Sequence, residues 1–516
     1  MTRWFNTAGP CNRADHYMLP ALQRLPELKR LVDQRSYFVV HAPRQVGKTT
    51  ALLALAEELT AAGDHEAALV SMEVGSAYPN DIGAAELAIL ESWRRALDAQ
   101  LPPAQLPPPF PDASPGSRIA TALASWAEST PRPVVIFLDE IDALRDDVLI
   151  SILRQLRDGY RNRPDHFPSS LALIGLRDVR DYKVATTGRE HLGTSSPFNI
   201  KVRSLTLRNF TAAEVAGLYA QHTTDTGQRF EPDATARAFE LTQGQPWLVN
   251  ALAKVAVEEL CTDLAQPVGR DAVERARDIL IDRQETHLDS LAERLREPRI
   301  RVILEPMIAG GLLGDVPEDD RRFAVDLGLL RRNAEGTLEV ANPIYREIIL
   351  RALTSGTRDT LPHIQPSWLR SDGRLDLDHL RDAFLTFWRQ HGEPLLATTP
   401  YHEIAPHLVL MAFLHRVANG GGTVEREYAI GKGRMDLCVR RGPDTLPIEL
   451  KVWRDKGADP KAEGLLQLDG YLAGLGVETG WLVIFDRRSG IAPIAERTGF
   501  ESARTPAGRA VTVIRA

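Results

Sequence analysis

The chain has 516 residues, 43% of them hydrophobic and 25% charged, with a formal net charge of −7. That exceeds one ordinary domain and suffices for three or four, while the acidic sum excludes a generally basic nucleic-acid coat but not a local basic groove. Three widely spaced cysteines, Cys11, Cys261 and Cys438, exclude a disulfide framework and a paired-cysteine metal site, which predicts a reducing, cytoplasmic setting.

The first twenty residues hold no apolar leader, and no stretch approaches the ~20 apolar residues of a membrane span, so no membrane association is expected. Next, "SYFVVHAPRQVGKTTALLALAEEL" reads as strand, turn and long helix. Its "APRQVGKTT" fits the phosphate-loop pattern GxxxxGK[ST], except that Ala42 stands at the first glycine. The chemistry needs a loop whose backbone N–H groups surround phosphates at a helix N-terminus. Gly47 lets the backbone approach, Lys48 reaches the β- and γ-phosphates, and Thr49 offers its hydroxyl to Mg²⁺. Pro43, Arg44, Gln45, Val46 and Thr50 complete the expected nucleotide-binding loop. Ala42 can make the turn if its φ is negative.

The proline-rich stretch 101–117 reads as a loop or insertion. Beyond it, "RPVVIFLDEIDAL" and "SSLALIGL" are buried strands with a helical segment between them, which predicts a parallel sheet covered on both faces. Asp139 ends the first of these strands and would complete a Mg²⁺ shell with Thr49, while Glu140 would polarise the attacking water. An acidic pair ending a buried strand is costly without such a role. The pattern is helical from 205 to 296. Residues 297–360 read as a winged-helix-like unit, with "LLRRNAEGTLEV" as its hairpin; a plain helical subdomain is the competing reading. A polar stretch then leads to a final domain, 375–516.

That domain carries a second constellation. In "LPIELKVW", Glu449 and Lys451 share one face of a strand, opposite Ile448, Leu450 and Val452. Asp436 sits in the preceding strand-like run, and a hairpin would bring it beside them. Two carboxylates and a lysine suit metal-assisted phosphodiester cleavage: the acids hold Mg²⁺, and the lysine positions water or steadies developing charge. An amphipathic helix carrying Glu403 is expected upstream. Downstream, "GLLQLDGYLAGLG" places Gln467 and Tyr471 on one helical face, before the buried strand "TGWLVIFD". An edge-strand ion pair is the competing account of Glu449 and Lys451.

Residues 1–350 resemble the archaeal-type, STAND-like branch of the AAA+ ATPases through "FNTAGP", "HYMLP", "FVVHAPRQVGKTT", "FLDEIDAL", "LIGLRDVRDY", "SSPFNI" and "LTQGQPWLVN". The resemblance implies a P-loop ATPase core over 1–204, a helical lid over 205–296 with "GQP" (244–246) at its nucleotide-reporting turn, and ATP with Mg²⁺ as cofactors. It also implies a homo-oligomer and a polar sensor at Arg177 or Asp178. Arg154, Arg157 and Arg161 are candidates for an arginine finger, with a solvated helix face as the alternative. Residues 400–490 resemble the PD-(D/E)XK nuclease superfamily. This implies Glu403, Asp436 and Glu449 as metal-facing acids for Mg²⁺ or Mn²⁺, with Glu425 or Glu427 as substitutes for Glu403. It further implies Lys451 as the catalytic lysine, with Gln467 and Tyr471 as supporting or DNA-facing groups, Gln467 within the catalytic set.

The expected fold class is therefore α/β multidomain, ending in a restriction-endonuclease-like domain. The expected function is an ATP-dependent or ATP-regulated Mg²⁺ nuclease acting on nucleic acid, DNA first, in prokaryotic defence or on a mobile element. The alternative is an ATP-gated nucleic-acid-binding or signalling switch that does not cleave.

Overall fold

The computed structural model describes residues 3–176, 200–283, 297–308, 316–349 without 334, 368–398, 405–418, 422–430 and 433–516 without 456, together with isolated positions near 290 and at 352. The chain divides into two compact units, Met1–Leu291 with Pro317–Tyr345, and Ala292–Val316 with Arg346–Ala516.

The first unit opens with a 3-10 turn, Ala21–Arg24, and α1 (Leu28–Asp33). There follow β1 (Tyr37–His41), α2 (Lys48–Ala62), β2 (Glu66–Ser71), α3 (Ile82–Gln100) and α4 (Arg118–Ser129). Then come β3 (Val134–Asp139), α5 (Asp146–Gly159), β4 (Ser170–Gly175) and β5 (Arg203–Thr206). The five strands form one parallel sheet in the order β2-β3-β4-β1-β5. β1, β3 and β4 are apolar runs because the sheet is covered on both faces. Along β1, Tyr37 and Val39 enter one core with Trp93 and Trp126, whereas Phe38 and Val40 enter the other with Leu52 and Leu55. Each such side chain contributes ~1.5–3 kcal/mol by burial. The order puts β4 between β1, which carries the phosphate loop, and β3, which carries the acids.

The sequence singles out neither β2 nor β5. β2 opens with Glu66-Ala67-Ala68 and β5 is a four-residue edge strand, so neither shows a strong strand pattern. The proline-rich stretch is a loop, as expected, and Leu106 and Phe110 within it pack against the core.

A helical bundle follows: α6 (Ala212–Thr226), α7 (Pro232–Thr242), α8 (Pro246–Val255) and α9 (Arg270–Arg283). A Thr211–Glu214 capping box starts α6, and proline opens both α7 and α8, where its missing N–H costs nothing. After α10 (Pro298–Ile308), which falls in the second unit, α11 (Glu318–Asp326) and the antiparallel pair β6 (Leu330–Arg332) and β7 (Leu338–Val340) rejoin the first.

The second unit contains α12 (Leu377–Thr398), α13 (Ala405–Ala418), β8 (Gly422–Ile430), β9 (Gly433–Arg441) and β10 (Asp444–Trp453). It continues through α14 (Lys461–Leu475), β11 (Thr479–Asp486), α15 (Ile494–Arg497), β12 (Gly499–Arg504) and β13 (Ala510–Arg515). The sheet is mixed, in the order β12-β13-β11-β10-β9-β8, with β10, β11 and β13 parallel. Leu468 and Leu472 of α14 pack on Leu482 and Ile484 of one face. On the other face, Trp388 of α12 and His407 of α13 lie against Phe485.

Three features differ from expectation. The run ending in "IELKVW" makes two successive hairpins, β8–β9–β10, instead of one. In α13, Val409 through Leu414 are all buried, so this stretch is enclosed and not amphipathic; it packs against both α12 and the sheet. β12 and β13 extend the sheet beyond the part legible in the sequence. No described helix is long and apolar enough to cross a membrane.

Candidate functional site

In a parallel sheet, ligands sit at the carboxyl ends of the strands, and the first constellation gathers there. β1 ends at His41, and the loop 42–47 curls into α2. Ala42 is buried and keeps a negative φ, so it makes the turn without a glycine. Gln45 and Gly47 take left-handed conformations, with φ of 57° and 89°. Such alternation turns successive N–H groups toward one point and makes an anion-binding concavity. α2 begins at Lys48 with no side-chain cap, leaving the N–H groups of its first turn to an outside acceptor.

The Lys48 ammonium donates to the Ala42 and Pro43 carbonyls, each at 2.8 Å. Burial lowers its pKa to about 8, with Asp139 opposing. Two loop carbonyls are weaker acceptors than phosphate oxygens, so the lysine can exchange them for a polyphosphate. The Thr49 hydroxyl donates to Asp139 at 2.7 Å, which brings together the two residues expected to hold a nucleotide-bound cation. Burial raises the Asp139 carboxyl above its ordinary range, while Thr49 and the Glu140 N–H oppose that shift. Arg44 is exposed, and the Thr50 hydroxyl accepts the Cys11 N–H at 3.1 Å, which ties α2 to the N-terminal loop.

Glu140 has a left-handed backbone, φ 57°, and its carboxylate accepts the Ser71 hydroxyl at 2.9 Å. Burial raises its pKa, the Ser71 bond opposes this, and Glu73 and Asp139 add to the rise. No motif in the sequence marks Ser71. Its one signal is register: Ser71 ends β2 directly opposite Asp139. Arg154, Arg157 and Arg161 are all exposed, and Arg161 pairs with Asp158 at 2.9 Å.

The second constellation lies where β9 leaves β10. Ladder pairing stops at Leu437–Ile448, and beyond it the Asp436 carboxylate accepts the Leu450 N–H at 2.8 Å in place of a backbone carbonyl. This turns the Asp436 carboxylate toward β10. Glu449 is 3% exposed on the face covered by α14, and one of its oxygens, Oε2, has no hydrogen-bond partner among the described residues. Its other oxygen pairs with the Lys451 ammonium at 3.1 Å. Burial, then the Asp436 charge, push the Glu449 carboxyl up to about 8. Lys451 also donates to Gln467 of α14 and lies 3.3 Å from Glu463, a partner that no motif marks although it stands four residues before Gln467. Burial raises the Tyr471 hydroxyl to about 12, with Glu449 and Asp436 adding to the rise, so the tyrosine feels both acids.

Glu449, Lys451 and Gln467 are therefore in contact, with Asp436 and Tyr471 beside them. Glu403, Arg177 and Asp178 lie outside the described residues, as do the side chains of Glu425 and Glu427. Among the described residues no group of three or more His, Cys, Asp or Glu is arranged to hold a metal ion. Asp436 and Glu449 supply two carboxylates, and the partnerless Glu449 oxygen fits a cation that joins from outside.

No family model matches the chain, and no curated protein matches it. Solved structures do. A Walker-type ATPase of Pyrococcus abyssi is similar over 67% of this chain and 99% of its own, with 15% identity and a TM-score of 0.48. The Aeropyrum pernix ORC2 protein is similar over 65% and 93%, with 14% identity and a TM-score of 0.39. The Holliday junction branch migration motor RuvB of Thermotoga maritima is similar over 63% and 92%, with 16% identity and a TM-score of 0.35. The sheet order and the loop geometry of this chain themselves fit a P-loop α/β nucleotide-binding fold.

Proposed function

We propose that the chain is an ATP-regulated, Mg²⁺-dependent nuclease that acts on DNA and works as a homo-oligomer. The observation that carries the nuclease half is Glu449: a buried carboxylate beside Asp436, with one oxygen lacking a partner and the other on Lys451. A structural ion pair does not need a second acid at the same place, and such a pair is weak unless its remaining polar atoms are satisfied. In this reading Asp436 and Glu449 hold the cation. Lys451, steered by Gln467, positions the attacking water or steadies charge on the phosphate, and Tyr471 lines the approach. Mg²⁺ held there supplies positive charge at the scissile phosphate and acidifies a bound water.

The nucleotide half rests on the curled loop, the Lys48 ammonium and the Thr49–Asp139 pair. ATP would draw Lys48 off the Ala42 and Pro43 carbonyls, and Glu140 would leave Ser71 to orient water. The bundle α6–α9 would act as a lid over the nucleotide, and the α11 and β6–β7 segment as part of a winged-helix-like unit.

Calorimetric titration tests the two halves separately. Mg²⁺ or Mn²⁺ should bind the wild type and lose that binding in Asp436→Ala. ATP should bind the wild type at least ~10-fold more tightly than Lys48→Ala. Intact ATP binding with no metal binding outside the nucleotide site would contradict the nuclease half and favour an ATP-gated DNA-binding switch.

A further inference from the structure

The guanidinium of Arg24 takes no part in the roles above, yet the residue is only 7% exposed. Its hydrogen bonds go to backbone carbonyls and not to a carboxylate: Nη2 donates to Val46 at 2.8 Å and Nη1 to Arg208 at 3.0 Å. Its flat face lies over the Phe210 ring, 4.8 Å from the centroid. Burial lowers its pKa to about 10, with Glu214 opposing, which leaves it charged at neutral pH.

The Val46 carbonyl is informative because it shares a peptide plane with the Gly47 N–H and points the opposite way. Gly47 is the left-handed residue just before α2, at a helix start that has no side-chain cap. Its N–H belongs to the donors turned toward the phosphate position, so fixing the carbonyl fixes the donor. A positive charge on that carbonyl also polarises the peptide and strengthens the N–H at its other end.

The second arm of Arg24 holds the strap that follows β5. In that strap, the Phe210 N–H donates to the Gly244 carbonyl at 2.8 Å and Asn209 donates to Gln243 at 3.3 Å. Gly244 has a φ of 70°, and the Phe210 carbonyl oxygen lies 1.9 Å from where a Cβ would stand. The Arg208 side chain pairs with Glu214 of α6 at 2.6 Å. The strap is therefore fastened to the turn that opens α8 and to the start of α6.

We propose that Arg24 is a positioning residue for nucleotide binding, which presents the Gly47 N–H to a phosphate and couples the phosphate loop to the Gly244 turn. This rests on the nucleotide half of the function proposed above. A lysine at position 24 keeps the charge but lacks the rigid fork that holds one donor on each carbonyl, and it has no planar face for Phe210.

Hydrogen–deuterium exchange with ATP and Mg²⁺ on the full chain, together with ATP affinity, tests this in wild type, Arg24→Gln and Arg24→Lys. In the wild type, ATP should protect residues 42–50 and 244–255 together. Both variants should bind ATP roughly tenfold or more weakly, the effect of one charge-assisted hydrogen bond. At saturating ATP they should still protect 42–50 while 244–255 stop responding. Arg24→Lys keeps the buried cation and decides the question if Arg24→Gln does not fold. A 244–255 response that persists in Arg24→Lys would overturn the proposal, whether or not affinity falls, since a merely structural residue would leave it intact. A wild type that binds no ATP would overturn the nucleotide reading itself, and the proposal with it.

Discussion

A buried carboxylate with one oxygen on a lysine, the other oxygen without a partner and a second acid nearby costs stability that a cation would restore. In the proposed role of Glu449, stability and function therefore pull in opposite directions. Glu449→Gln keeps the shape and removes the charge, leaving Lys451 its contacts with Gln467 and Glu463. In chelator, the melting temperature of this variant should be no lower than that of the wild type. Saturating Mg²⁺ or Mn²⁺ should stabilise the wild type, by ~2.7 kcal/mol at a hundred times the dissociation constant, and leave the variant unmoved. A Glu449→Gln protein that melts well below the wild type in chelator would point to a structural ion pair. At the phosphate loop, Lys48→Ala should weaken ATP binding by at least ~1.5 kcal/mol, the usual size of a charge-assisted hydrogen bond, measured by calorimetry. Unchanged affinity would remove Lys48 from the site.

At the scale of elements, the start of α6 gives a pH-dependent prediction. Glu214 closes the capping box with Thr211 and pairs with Arg208 at 2.6 Å. The Arg208 hydrogen bond, against burial, holds its carboxyl down at about 2, below its usual 4.5. A depressed carboxyl adds stability that is complete above 4.5 and is lost as pH falls toward 2. Glutamine can keep the box while losing the charge. Glu214→Gln should therefore cost up to about 1 kcal/mol at neutral pH, and the difference should vanish near pH 2 in denaturant titrations. A deficit that persists in acid would mean the ion pair is not its source. Elements also set how much the sequence could reveal. The phosphate loop, Asp139–Glu140 and the Glu449–Lys451 pair were legible because each combines a fixed spacing with a strand or helix boundary. Gln467 was legible because the resemblance to the nuclease superfamily implies it, helical periodicity adding only that it shares a face with Tyr471. Ser71 and Arg24 were not, since their contacts cross the fold: Ser71 opposes Asp139 by strand register, and Arg24 reaches Val46 across 22 residues. β12 and β13 complete a sheet that begins far earlier in the chain, and such long-range pairing leaves no local pattern.

At the scale of the whole molecule, the chain holds a nucleotide-type loop in one unit and a carboxylate–lysine cluster in the other. Their presence on one chain is the ground for proposing control of one by the other. In the proposed function, ATP would change the loop and the α8 turn and thereby set the activity of Glu449 and its neighbours. The most direct test is cleavage of plasmid and linear DNA with Mg²⁺, with and without ATP, by wild type, Lys48→Ala and Glu449→Ala. Wild type should cleave in an ATP-dependent way, Glu449→Ala should not cleave, and Lys48→Ala should show no ATP-stimulated cleavage. Cleavage by Glu449→Ala at the wild-type rate, or ATP turnover by a wild type that cuts no nucleic acid, would contradict the proposed function.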